Sequence, residues 1–202
     1  MRPDDPRTPA RRPRAVRLAT VALAVLATAC GGRQPFEPGP PPPVPDLRGI
    51  PVMLLPVRAP APGQIDAELA FWLGERLPTT EWLLPDELQR ALDRAPAWRV
   101  QLDGMARRVG DRGGGNYRIL DPLYGTLRQL GAIMDASYAL VPVRTGVIQD
   151  SLGTVLRLSA AVVDIRGGRV LWLHTVDGEP AATEAAAGAS AAERLARMLS
   201  PP

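Results

Sequence analysis

Four consecutive prolines, Pro40 to Pro43, lie within a stretch, residues 31–50 (GGRQPFEPGPPPPVPDLRGI), that holds seven prolines in all. Each proline fixes its own φ and removes a backbone donor, so neither a helix nor a sheet ladder can run through them. Extended polyproline II is the expected conformation, and at about 3.1 Å per residue such a stretch reaches roughly 60 Å at most. The chain is thereby divided into an N-terminal segment, 1–29, a stiff spacer, 30–50, and one globular domain, 51–202. A ligand for a proline-recognition domain is the alternative use of such a run.

The segment before the spacer has a different texture. Residues 1–17 carry Arg2, Arg7, Arg11, Arg12, Arg14 and Arg17 against only Asp4 and Asp5, and LATVALAVLATA follows at 18–29 without a charge. A basic start, a short apolar run and small residues at its end form the pattern of a secretory signal peptide. As a helix the apolar run covers about 18 Å, short of the roughly 30 Å hydrocarbon core, so a permanent membrane span is not expected. Arg11 and Arg12 lack the polar and aromatic neighbours of a twin-arginine signal.

The run ends at Cys30, the only cysteine. Leu26-Ala27-Thr28-Ala29-Cys30 resembles the lipobox of bacterial lipoproteins, in which the Cys is acylated and becomes the mature N-terminus. That resemblance implies a palmitate-type lipid anchor at Cys30. An ordinary signal peptide with an incidental Cys is the alternative, but an exposed, unpaired thiol is a liability in an oxidising compartment. Gly31 stands where lipoproteins retained at the inner membrane place Asp. In a diderm host the resemblance therefore implies the outer membrane, facing the periplasm, and otherwise the cell surface.

Charge points the same way. All 24 basic residues are Arg, which excludes Lys nucleophiles, Schiff bases and the Walker phosphate lysine. The pI near 9.7 suggests an anionic partner. Residues 1–29, however, hold six Arg and two Asp, leaving 18 Arg against 19 acids in the rest. The basicity belongs to the export signal. With aromatic residues at 4%, interleaved stacking platforms for nucleic acid are missing as well.

From Ile50 onward the pattern is globular. Pro51 to Val57 reads as a buried first strand. Ile65, Leu69, Trp72 and Leu73 fall on one face of a helix over 64–77. Pro85 suits the first turn of a second helix, with Asp86 and Glu87 at its positive end. Trp98 to Leu102 alternates as a strand. Asp121 and Pro122 are expected as N-cap and N1 of a helix bearing Leu123, Leu127, Leu130 and Met134. Ser137 to Val143 reads as a strand, and 154–165 and 169–177 as two strands joined by a tight turn at Gly167-Gly168. An Ala-rich helix over 181–199, weakened by Gly188, completes the order β-α-α-β-α-β-β-β-α. This predicts an α/β (α+β) domain, a single mixed sheet with a C-terminal antiparallel hairpin and helices packed on it.

Two segments, LGAIMDASYALVPVR (130–144) and LRLSAAVVDIRGGRVLW (156–172), look like consecutive elements of a group of envelope proteins. The group comprises the curli-secretion lipoprotein, the lipoprotein activator of penicillin-binding proteins and the N-terminal domain of the Tol-system propeller protein. The resemblance implies an accessory or assembly factor for envelope machinery. Two departures stand out. Pro142 occupies a position where the group often has Gly, so the end of that strand should differ. Residues 103–121 are polar and Arg-rich, and cannot supply the long alternating strands that a curli-type pore requires.

Catalytic candidates are few. His174, the only His, has no nucleophile elbow to serve, since Ser190 lacks the flanking glycine pattern. One His does not make a His-based zinc site. Asp135 and Asp164 could converge at strand ends as an acid/base pair. The simpler expectation is that Asp135 ends a helix and Asp164 precedes a turn. Gly113 to Gly115, preceded by Arg107, Arg108 and Arg112, could cradle an anion or contact a protein partner. The spacing matches neither phosphate-loop nor dinucleotide motifs, and a surface loop is the simpler reading. Trp72, Trp82, Trp98 and Trp172 are expected in the core. No metal, cofactor or catalytic residue is implied. The expectation is a non-catalytic, lipid-anchored binding protein with an envelope protein as partner. The alternatives are an oligomeric subunit of a secretion or trafficking complex, self-associating through its sheet edge or terminal helix, and a carboxylate-dependent enzyme.

Overall fold

A computed structural model describes residues 43–58, 62–95, 102, 107–111 and 116–200. The expected signal segment, Cys30, the strand through Trp98, and Arg112 to Gly115 lie outside the described residues.

The apolar run after the prolines forms β1 (Pro51–Leu54), and α1 (Pro62–Arg76) returns along it to β2 (Glu81–Leu83). Helix α2 (Pro85–Asp93) begins with Pro85 at N1, as the sequence suggests, and the Glu87 carboxylate accepts the Leu84 N–H at 2.9 Å. Two short strands, β3 (Val109–Asp111) and β4 (Tyr117–Ile119), precede α3 (Leu123–Met134). Then come β5 (Tyr138–Asp150), β6 (Gly153–Asp164), β7 (Arg169–Asp177) and α4 (Glu184–Leu199). The expected single mixed sheet is present, with seven strands in the order β2-β1-β5-β6-β7-β4-β3. Strand β1 runs parallel to β2 and β5, and every other pairing is antiparallel.

Alternation along the central strands divides the core into two layers. Val52, Leu54, Leu140, Leu158 and Val162 point to one face, where they meet Ile65, Leu69 and Leu73 of α1 and the alanines of α4. Met53, Leu55, Ala139, Val141 and Val163 point to the other, against Leu88 and Leu92 of α2 and Leu123, Leu127 and Leu130 of α3. Near-continuous apolar sequence in β1 and β6 follows directly from this two-sided burial. In the first half of α4 the buried positions, Ala187, Gly188, Ala191 and Ala192, are all small. A Cβ on Gly188 would lie 3.1 Å from Ile65 Cγ1, so the glycine that costs helix propensity makes room for the neighbouring helix.

Several expectations need correction. Strand β5 does not end at Val143: it bulges between Pro142 and Arg144 and continues to Asp150. Pro142 has no N–H to give, and the bulge accommodates that lack inside a strand. The helix after Asp121 starts one residue later than expected. Pro122 is the N-cap, and Asp121 Oδ1 accepts the Gly125 N–H at 3.1 Å from one residue further out. Of the two turn glycines only Gly168 has positive φ, at 65°. The stretch 103–121 contributes β3 and β4, a small hairpin at the sheet's end.

The proline-rich stretch also runs into the packed unit. Val44 leans on the α1/α4 core, and Leu47 is part of it, at 3% exposure. The Gly49 N–H donates to the Thr79 carbonyl at 2.7 Å. The domain thus holds its own leader from Val44 onward, ahead of the boundary at residue 51.

Candidate functional site

The basic cluster does not present a uniform surface. Arg107 is 8% exposed, and its Nη1 donates to the Pro142 carbonyl at 2.5 Å. A charge-assisted bond of this kind satisfies a main-chain acceptor of a buried residue beside the bulge. Arg108 is exposed beside it. Of the three arginines suggested as an anion or partner contact, one therefore braces β5 and one faces solvent. Arg112 lies outside the described residues.

Asp135 and Asp164 take the structural positions expected of them. Asp135 closes α3 in the left-handed conformation, φ 51°, and its exposed residue position follows from that C-cap. Aspartate is one of the few non-glycine residues that tolerate this region. Asp164 Oδ1 accepts the Arg166 N–H at 3.0 Å and so folds the β6–β7 turn. A hollow of about 290 Å³ lies between α3 and this turn, lined by Arg128, Gly131, Asp135, Ser137, Ile165 and Arg166. It brings Asp135 among arginines and does not include Asp164 in its lining.

His174 is half-buried on β7, opposite Ala160. Its ring lies 5.8 Å from that of Trp172, tilted by 31°. Trp172 is buried, whereas Trp72 and Trp82 are half-buried against the same core. Among the described residues no three His, Cys, Asp or Glu side chains could hold a metal together. No described helix is long and apolar enough to cross a membrane.

Two larger grooves remain, neither signalled by the sequence. One of about 480 Å³ lies between α2 and α3, lined chiefly by Leu83, Arg90, Ala91, Arg94, Ile133 and Met134. The other, about 500 Å³ and mostly apolar, lies where the leader meets the ends of α1 and α4, at Val44, Leu47, Leu77, Met198 and Leu199. Each forms where helix ends meet a segment from elsewhere in the chain, a juxtaposition that local patterning does not reveal.

Exposed ion pairs complete the picture. Arg48 Nε and Nη2 donate to Asp46 at 2.9 and 2.7 Å, and these bonds lower the Asp46 carboxyl to about 2. Arg157 binds both oxygens of Asp177, at 2.6 and 2.8 Å, and holds that carboxyl below its usual range.

No family model matches the chain, and no curated protein does. Two solved structures are similar to it. The crystal structure of lipoprotein GNA1162 from Neisseria meningitidis is 15% identical, with 64% of this chain and 81% of that one covered and a TM-score of 0.39. The hypothetical protein CT253 from Chlamydia trachomatis is 12% identical, with 64% of this chain and 71% of that one covered and a TM-score of 0.29.

Proposed function

We propose that this protein is exported, acylated at Cys30 and held on the envelope by that lipid, where its α/β domain binds a protein partner without catalysing a reaction. The observation that carries the reading is the N-terminal sequence: an Arg-rich start, twelve uncharged apolar or small residues, and LATAC at its end. The packed leader supports it. Cys30 stands thirteen residues before Pro43 and fourteen before Val44, the first residue that leans on the core. An extended spacer of that length reaches about 40 Å. A partner would lie within that distance of the anchoring membrane, which in a diderm host is the outer membrane. The resemblance of residues 130–144 and 156–172 to the envelope group supports reading that role as an accessory or assembly one.

The structural work done by the acid and histidine candidates favours binding over catalysis. Asp135 closes a helix, Asp164 folds a turn, and His174 stacks beside Trp172. The test is Cys30→Ser in the full chain, followed by membrane fractionation and labelling with a radioactive fatty acid. Loss of both label and membrane association is the expected result. Membrane association that survives without Cys30 would overturn the anchor.

A second reading, an oligomeric subunit of a secretion or trafficking complex, is favoured by one observation. Strand β5 runs well past its neighbour β1.

A further inference from the structure

One row of paired residues crosses the sheet at the end where the leader joins it. Val52 of β1 stands opposite Tyr138 of β5, Tyr138 opposite Asp164 of β6, Asp164 opposite Arg169 of β7, and Arg169 opposite Arg118 of β4. With strands about 4.8 Å apart, Arg169 and Arg118 lie roughly 14 and 19 Å from Val52. Leu47 and Gly49, just before β1, are tied to the domain at this same end. The chain that carries Cys30 therefore enters the domain at the end of the sheet that holds the β6–β7 turn.

Four arginines surround that turn. Arg118 lines a cleft of about 160 Å³ with Gly167 and Gly168, and Arg169 Cδ lies 3.6 Å from where a Cβ on Gly167 would stand. Arg128 and Arg166 line the neighbouring hollow of about 290 Å³. Arg48, Arg76, Arg157 and Arg197 are paired with carboxylates, whereas none of the four around the turn forms an ion pair or a side-chain hydrogen bond with a described residue. Arg128 only lies over the Tyr124 ring, 5.8 Å from its centre. The nearby carboxylates serve the backbone: Asp164 Oδ1 accepts the Arg166 N–H, and Asp121 Oδ1 the Gly125 N–H. Asp135 shares the hollow without pairing. Arg118 and Arg169, directly opposite on adjacent strands, repel each other, a cost that an anion between them removes.

We propose that this end of the domain is a phosphate-binding face, and that its ligands are the phosphate headgroups of anionic lipids in the membrane that holds Cys30. Guanidinium groups match phosphate oxygens in geometry as well as charge. Beyond residue 29 the chain holds 18 Arg against 19 acids, so no overall attraction draws it to an anionic surface. Attraction to such a surface fades within a Debye length of about 8–10 Å, so only a local cluster brought close to the bilayer gains from it. The leader brings this end close, and the four arginines then fix which way the tethered domain faces. Docked in this way, the domain turns the far end of the β5–β6 hairpin, where Leu152 is 77% exposed, away from the bilayer. The choice of ligand rests on the anchor at Cys30, which supplies the bilayer.

Depth-dependent quenching tests it. Chain purified from membranes carries a fluorophore at Ala132→Cys, beside the hollow, or at Ser151→Cys, at the hairpin's far end, and is bound to vesicles containing a spin-labelled quencher lipid. On phosphatidylcholine alone the two labels should be quenched alike. With phosphatidylglycerol mixed in, quenching should rise at Ala132 and fall at Ser151. Replacing Arg118 and Arg169 together by Ser should lower the ratio of docked to undocked domain about thirtyfold, the worth of two arginines at an anionic surface. Replacing both by Lys should keep most of the docking, which separates charge from folding. Arg144→Ser, roughly 20 Å along β5 from the row, should change the ratio less than about twofold. Equal quenching of the two labels on the anionic vesicles, or docking of the double Ser variant as strong as the parent's, would overturn the proposal. Inorganic phosphate, exchanged for chloride at equal ionic strength, should not release the docked domain, and release would assign the arginines to free phosphate instead. Chain that ignores phosphatidylcholine vesicles but still docks by its Ala132 side on anionic ones would remove the anchor and keep the face.

Discussion

The guanidinium of Arg107 donates to the main-chain carbonyl of Pro142, 35 residues further along the chain, where β5 bulges. Arg107, the one buried arginine among the described residues, thus serves the central sheet. Truncation to Arg107→Ala removes a charge-assisted bond and leaves a buried carbonyl to find another donor, at a cost of about 2 kcal/mol. Arg108→Ala, at an exposed position, should stay within about 0.5 kcal/mol of the parent. Urea unfolding of the two variants makes the comparison. Equal losses would mean that Arg107 does not brace the bulge.

Acid should weaken the domain through two exposed ion pairs. Asp177 is held below its usual range first by the hydrogen bonds from Arg157, and Asp46, lowered to about 2, first by those from Arg48. A carboxyl depressed in the folded state contributes stability that is present above its unfolded value of about 4 and is lost as pH falls through the folded one. Stability should therefore decline between about pH 4 and 2, and Asp46→Asn with Asp177→Asn should flatten that limb. Both pairs are exposed and salt-screened, so the effect is small and should shrink further in high salt. Thermal melts from pH 2 to 6 at two ionic strengths read it directly.

Gly168 carries the β6–β7 turn and also lies beneath the ring of Tyr124. Its φ is 65°, and a Cβ there would come within 2.9 Å of Tyr124 Cε2. Tyr124 in turn donates its hydroxyl to the Arg166 carbonyl at 3.1 Å. Gly168→Ala therefore meets backbone strain and a clash together, and should cost more than about 1 kcal/mol. Tyr124→Phe loses only the hydrogen bond, about 1 kcal/mol. In the double variant the ring still stands over position 168, so the strain penalty should persist. Replacing Tyr124 by Ala should relieve part of the clash, which a double-mutant cycle in urea would reveal.

Local signals made much of this fold legible. The spacing of Ile65, Leu69 and Leu73 marks α1, Pro85 with Asp86 and Glu87 marks the start of α2, and Gly167-Gly168 marks the terminal hairpin. Elements fixed by distant partners were not legible. Strands β2, β3 and β4 have three residues each, too few to show a period. Pro142 reads as the end of a strand, because nothing local announces that a bulge and Arg107 will carry β5 past it. Arg107 reads as surface, since arginine is seldom buried unless paired. Leu47 reads as spacer because prolines surround it. The same holds for the candidate sites: Asp135 and Asp164 could be placed at element ends, while the two larger grooves arise only from tertiary packing.

Leu47 fixes where the spacer ends and the domain begins. It is nearly inaccessible, packed in the α1/α4 core, and the Gly49 N–H ties the following turn to Thr79. Leu47→Ala should cost about 2–4 kcal/mol, the range for removing a buried leucine side chain. Leu47→Asp should cost more, because it buries a carboxylate where the described neighbours are apolar. Deleting residues 31–42 should leave urea stability unchanged, whereas extending the deletion to residue 50 should lower it by at least as much as Leu47→Ala. Equal stability of the two deletions would return residues 43–50 to the spacer and restore its longer reach. A lower stability for the longer one would place residues 43–50 with the folded domain, as the burial of Leu47 implies.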